Sequence, residues 1–145
     1  MSVNTEIVHG VPGKRRLRDG DILTVDCGAH HQGWIADGAW TFAVGTVSRD
    51  AMDLLDATEK ALYASIACAR AGNCTGDVAA NMQAVVEARG YNVIRHHTSH
   101  GVGRSLHEDP QILNHGRAGT GPRLQEGMTI ALEPMVLSGK PDTQL

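Results

Sequence analysis

At 145 residues, with 41% apolar and 20% charged side chains, the chain can bury a core of its own but is too short for two full domains. A formal net charge of −3 leaves no basic footprint for sequence-specific nucleic-acid binding or for an anionic membrane. No apolar run approaches the ~20 residues of a membrane span, no signal-peptide core opens the chain, and the three cysteines form no C-x-x-C pair, so the expected setting is the cytoplasm.

Residues 3–8 predict a short strand running into His9-Gly10-Val11-Pro12-Gly13, a Gly/Pro loop that presents one histidine. Lys14 to Arg18 is a basic surface run, and Asp19-Gly20 marks a turn. From Asp21 to Val44, two apolar, β-prone runs flank His30-His31-Gln32-Gly33, the pattern of a hairpin. With its centre between His31 and Gln32, Asp26 and Asp37 are equidistant from the turn and are expected to face each other, with Cβ atoms ~5 Å apart. Set among Val25, Cys27, Ile35 and Ala36, two like charges would repel, and an unpaired carboxylate would be costly to bury. A cation between them is expected, in the form of two metal ions.

Helical spacing follows. Ser48 is a plausible N-cap, and Ala51, Leu54, Leu55, Thr58, Leu62, Ile66 and Ala69 make one apolar face that ends near Ala71-Gly72. A second helix is expected from Thr75 as N-cap to Arg89-Gly90, turning Val78, Met82, Val85 and Val86 inward. Both helices read as packing elements. Tyr91 to Arg95 predicts a brief strand, Ile112 to Pro122 an irregular Gly-rich loop, and Met128 to Met135 a strong strand with Thr129, Ala131 and Glu133 on one face.

The chemistry-bearing residues gather between these elements. His100 is followed by Gly101 and Gly103, which let the backbone turn tightly and the imidazole approach a ligand. Gly101-Val-Gly103 is not a phosphate loop, because Leu106 stands at the third glycine. His107-Glu108 does not begin a zinc helix of the H-E-x-x-H kind, since Asp109-Pro110 follows. Glu133 lies inside an apolar strand, immediately before Pro134. Asp26, Asp37, His100 and Glu133 are therefore the candidate metal ligands. Three carboxylates and an imidazole suit Mn²⁺, Fe²⁺, Co²⁺ or Zn²⁺ better than a thiolate zinc site. His107 could reach the same cavity from the other end of its loop.

With those residues in place, the sequence resembles the type I methionine aminopeptidases of the pita-bread metallopeptidase superfamily (the creatinase/aminopeptidase type). The carriers are Asn4 to Pro12, Asp19 to Asp26, Asp37, His100-Gly-Val-Gly103, His107-Glu-Asp-Pro110 and Glu133-Pro-Met135. The resemblance implies an α+β fold, an antiparallel curved sheet with helices packed on one face, over residues 1–145 as a partial catalytic domain. It implies two divalent ions held by Asp26, Asp37, His100 and Glu133, with Asp37 bridging. His107 would contact the scissile carbonyl region and stabilise its oxyanion, His9 would meet the substrate's N-terminal amide, and Glu133 would accept a proton. The implied reaction is removal of the initiator methionine from nascent chains with a small second residue. Association with the ribosome is a further expectation.

The sequence departs from the family pattern at Ser99, where glycine is usual, at Gly38, where a hydroxyl residue is common, and at Val8, often cysteine. Family members also carry an N-terminal segment before the position of residue 3 and a final strand bearing a fifth ligand, a glutamate. The chain thus reads as the family's middle portion. Two alternatives stand beside this reading: an Xaa-Pro aminopeptidase of the same superfamily, and a non-catalytic pita-bread module that binds peptides.

Overall fold

A computed structural model describes residues 1–141. The chain opens with β1 (Ser2–Val3), which pairs antiparallel with the longer β2 (Ile22–His31). The strand expected over residues 3–8 ends at Val3, because the Glu6 carboxylate accepts from the Val3 N–H and the Glu6 N–H returns to the Val3 carbonyl, closing a turn. β2 is joined to β3 (Trp34–Ala43) by Gln32-Gly33, whose φ angles of 49° and 78° are those of a two-residue hairpin turn that matches strand twist. The centre of the hairpin therefore lies between Gln32 and Gly33, one residue later than the sequence suggested. Asp26 pairs with Ala39, and Asp37 with Gly28.

Helix α1 (Arg49–Cys68) starts where expected, with the Ser48 hydroxyl accepting from the Ala51 N–H. Its buried stripe is not the leucine-rich face but Ala57, Ala61 and Ser65, while Ile66 is half exposed. Small residues at that spacing let α2 (Thr75–Glu87) approach closely. The N-cap of α2 is Cys74 rather than Thr75, and the Asp77 carboxylate accepts from the Cys74 N–H. Val78, Met82 and Val86 are fully buried, as their spacing predicts.

After α2 come β4 (Asn92–Val93), β5 (Thr98–Gly101) and β6 (Glu108–Leu113). β6 is the first departure here, since the segment read as loop begins as a strand, paired with β5 across a hairpin. The second is the segment 128–135, where only β7 (Ile130–Ala131) is strand, pairing with β5. β8 (Val136–Leu137) pairs instead with β4. The described residues thus form three small antiparallel sheets, β1-β2-β3, β4-β8 and β6-β5-β7.

Helix α2 is the centre of the core. Met82 and Val86 pack with Ala61 and Val93 on one side, and Val78 packs with Ile112 and Leu124 on the other. Full burial of side chains of this size contributes roughly 1.5–3 kcal/mol each. Among the described residues, no helix is long and apolar enough to cross a membrane.

Candidate metal centre

Where the hairpin meets the β5–β6 pair, the strands bring chemistry together. Asp26 and Asp37 lie on one face of the hairpin, because Gly28, directly opposite Asp37, is two residues from Asp26. They are diagonal neighbours rather than a directly opposed pair, which puts their Cβ atoms nearer ~7–8 Å than ~5 Å. Nor are both embedded in apolar surroundings. Asp26 is exposed, and only Asp37 is drawn in, its side chain 10% accessible. Repulsion between the two aspartates is accordingly weaker than the sequence argument supposed, and the case for a cation rests on what Asp37 meets.

Asp37 meets His100 and Glu133. From β5, His100 Nε2 lies 3.6 Å from Asp37 Oδ2 and 3.2 Å from Glu133 Oε2, with the imidazole 5% accessible. On the far side of the ring, Nδ1 is 2.8 Å from the Gly101 carbonyl. A carbonyl can only accept, so Nδ1 carries a proton and, in the neutral ring, Nε2 presents its lone pair to the two carboxylates. Asp37, His100 and Glu133 each offer one ligand atom, all within 4.8 Å of one another. Among the described residues no Lys or Arg forms an ion pair with Asp37 or Glu133. Three convergent acceptors, one with its second nitrogen fixed by a main-chain carbonyl, are the donor set of a divalent cation.

The electrostatics agree. Burial, reinforced by the nearby Asp37 carboxylate, pushes the Glu133 carboxyl above its ordinary range; His100 pulls the other way, and Asp26 adds a smaller upward push. Asp26 thus stands outside the close group of three yet near enough for its charge to be felt at Glu133.

Local structure explains the aim of each group. Gly101 lies in a β-bulge, and a Cβ there would come within 2.2 Å of the Asp109 carbonyl oxygen. The glycine serves close passage of β6 rather than a positive-φ turn, since its φ is not positive. The loop 102–107 is shaped by Glu108, whose Oε1 accepts from the N–H groups of Arg104 and Ser105 at 2.7 Å. This loop returns His107 to His100, their rings edge-to-face with centroids 4.4 Å apart. His9 is placed differently. It sits at φ 57°, packed edge-on against His97 at 6.2 Å, three residues before His100.

Several site-shaping contacts were not foreseen in the sequence, although Ser99 stood out there as a departure from the family pattern. Arg104 donates to the Gly33 carbonyl at 2.9 Å and stacks 3.8 Å over the Trp34 ring, while the Ile35 N–H donates to the Gly103 carbonyl at 2.7 Å. These contacts tie the hairpin tip to the histidine loop. Ser99 and Asn114, both fully buried, hydrogen-bond main-chain groups beside Glu133.

Comparison with known proteins adds four findings. A family model described as metallopeptidase family M24 matches residues 1–143. Methionine aminopeptidase 1 of Bacillus subtilis is 46% identical over 139 residues, covering 96% of this chain and 56% of that protein. The crystal structure of methionine aminopeptidase from Rickettsia prowazekii superposes with a TM-score of 0.97 at 38% identity, over 99% of this chain and 58% of that one. An Xaa-Pro dipeptidase from Bacillus anthracis shares the fold at a TM-score of 0.81 and 27% identity, over 92% of this chain and 37% of that one. The fold is the pita-bread fold expected from the sequence, and the chain spans a little over half the length of the methionine aminopeptidases it matches.

Proposed function

The chain belongs to metallopeptidase family M24, and on that premise we propose that its convergent acceptors are the metal centre of a methionine aminopeptidase. The observation that carries this reading is the meeting of Asp37, His100 and Glu133 ligand atoms within 4.8 Å. Asp37, His100 and Glu133 would hold divalent cation, with Asp26 completing a place for a second ion from the same hairpin face. The chemistry such ions supply is Lewis-acid polarisation and a lowered pKa for the attacking water. Mn²⁺, Fe²⁺, Co²⁺ and Zn²⁺ all suit the donor set.

The protein's own groups divide the remaining work. Glu133, whose carboxyl is held above its ordinary range, is suited to take the proton released as water attacks. His107, exposed and against His100, is placed to donate to the oxyanion of the scissile carbonyl. His9, exposed on its loop, would meet the substrate's amide. The substrate is a nascent chain beginning with methionine and a small second residue, met in the cytoplasm as it leaves the ribosome. The methionine aminopeptidase likeness outweighs that to the Xaa-Pro dipeptidase both in identity, 46% against 27%, and in superposition, 0.97 against 0.81.

The test is a titration of the dialysed chain with Mn²⁺ and Co²⁺, followed by incubation with Met-Gly-Ser and with an Xaa-Pro peptide. Saturable metal uptake with release of free methionine from the first peptide alone is expected. No uptake would overturn the metal centre, cleavage of the Xaa-Pro peptide alone would overturn the substrate, and uptake without cleavage of either would make the chain a non-catalytic module.

A further inference from the structure

Glu133 reaches the centre from a segment that has left its sheet. β7 ends at Ala131, and the next strand residue is Val136. Between them stands Pro134, which has no N–H to give to any ladder. The N–H groups on either side of it are both taken by buried side chains rather than by strand carbonyls. The Glu133 N–H donates to Ser99 Oγ at 2.8 Å, and the Met135 N–H to Asn114 Oδ1 at 3.2 Å. Asn114 also donates from Nδ2 to the His97 carbonyl at 3.1 Å, which binds the same splint to the segment entering β5. Both side chains are fully inaccessible to solvent.

We propose that Ser99 and Asn114 are positioning residues that clamp the Glu133-Pro134-Met135 main chain and thereby hold the Glu133 carboxylate against His100. The inference deepens the metal-centre reading above and rests on it for its consequence. Ser99 and His100 are neighbours in β5 and point to opposite sides of it. One holds the Glu133 main chain, and the other meets the Glu133 carboxylate at 3.2 Å. A strand carbonyl in place of Ser99 Oγ would keep the segment in register and continue the ladder past Ala131. A hydroxyl allows the chain to leave the sheet and still satisfy a buried N–H, which would otherwise be costly. Outer groups of this kind commonly set metal affinity by holding a ligand in its binding orientation.

The clamp is tested on the full chain, unaltered and as Ser99→Ala, Ser99→Thr and Asn114→Ala. In the metal-free protein, amide exchange followed by NMR should be roughly tenfold faster at Glu133 in Ser99→Ala. Asn114→Ala should do the same at Met135. The His100 Nε2 resonance, which reports the carboxylate beside it, should move in Ser99→Ala and be restored in Ser99→Thr. Calorimetric titration with Mn²⁺ should then show an affinity about tenfold lower in Ser99→Ala, again restored by threonine. Unchanged exchange at Glu133 in Ser99→Ala overturns the clamp, and so does an unmoved His100 resonance. Unchanged Mn²⁺ affinity overturns its bearing on the site. An unaltered chain that takes up no Mn²⁺ overturns the metal centre instead, and the two metal-free measurements still decide the clamp.

Discussion

The site is assembled from two halves of unlike construction. His100 comes from β5, which pairs with β6 on α2, and Glu133 from the segment that follows β7; around α2, Val78, Met82, Val86, Ile94 and Ile112 are fully buried. Asp26 and Asp37 come from a hairpin whose inner face carries the aspartates and whose outer face carries Leu23, Val25, Trp34, Trp40 and Phe42. Those three aromatics are 44–55% exposed, and no helix among the described residues lies over them. One half is fixed by hydrophobic burial and the other by hydrogen bonds and stacking at its tip. Geometry at the centre therefore depends on a stiff element facing a thinly supported one.

Truncation should separate the halves most sharply. Met82→Ala removes a fully buried side chain packed against Ala61, Val86 and Val93, and should cost about 2–5 kcal/mol in urea unfolding. Trp40→Ser on the outer hairpin face should stay within about 0.5 kcal/mol, because its ring is already 44% exposed. Similar losses in the two variants would mean that the hairpin is buried as firmly as the helices, and the contrast would fail.

Ligand removal probes the same division at the centre. His100→Gln should lower Mn²⁺ affinity by more than about 100-fold, beyond the usual range for outer groups, as read by calorimetric titration. Asp26→Asn should cost less, since Asp26 is exposed and lies outside the group that gathers within 4.8 Å. Equal losses would place Asp26 as deep in the site as His100.

The packed half was the more legible in sequence, and the reason is physical. Val78, Met82 and Val86 recur at helical spacing because one face of a helix must be buried, so the pattern states the burial. Glu133 stood out as a candidate for a related reason, because a carboxylate beside Pro134 in an apolar run needs a partner. The hairpin's turn centre was misread by one residue, which shifts the pairing by two and keeps each side chain on its face, since His30-His31-Gln32-Gly33 admits two turn centres and only the backbone at Gln32 selects between them. Had the slip been real, every side chain of β3 would have changed its partner in β2. Segment 128–135 looked like unbroken strand because Ser99 and Asn114, which replace its ladder, are polar residues whose burial no periodicity announces. Alanines 57 and 61 were passed over on α1 because a small-residue contact carries little hydropathy.

A smaller effect is expected at the hairpin tip. Arg104 stacks on Trp34 and donates to the Gly33 carbonyl, both at the surface. Arg104→Ala should cost about 0.5–1 kcal/mol of stability and shift Trp34 emission, measured in a Trp40→Phe background that leaves one indole. An unchanged emission spectrum would remove Arg104 as the latch between hairpin and histidine loop.

The smallest effect lies at the other end of the hairpin and is read by pH. The N–H of Arg18 donates to Asp21 Oδ2 at 2.9 Å, and the Asn4 amide donates to Oδ1 at 2.8 Å, joining the strand entry to the segment after β1. These two bonds, with the charges of Arg15 and Arg18, hold the Asp21 carboxyl below its ordinary 3.8 although burial opposes them. A depressed folded-state pKa means that the unfolded chain binds the proton more tightly. The contribution of Asp21 is thus complete above the unfolded value and is lost as pH falls through the folded one. Melting temperatures of the chain and of Asp21→Asn should differ by a constant amount at neutral pH and converge below about pH 4. Asp56 and Asp77, whose carboxyls are likewise lowered by hydrogen bonds, titrate in both proteins and cancel in the difference. A gap between the two curves that persists into acid would assign the Asp21 contribution to packing rather than to charge.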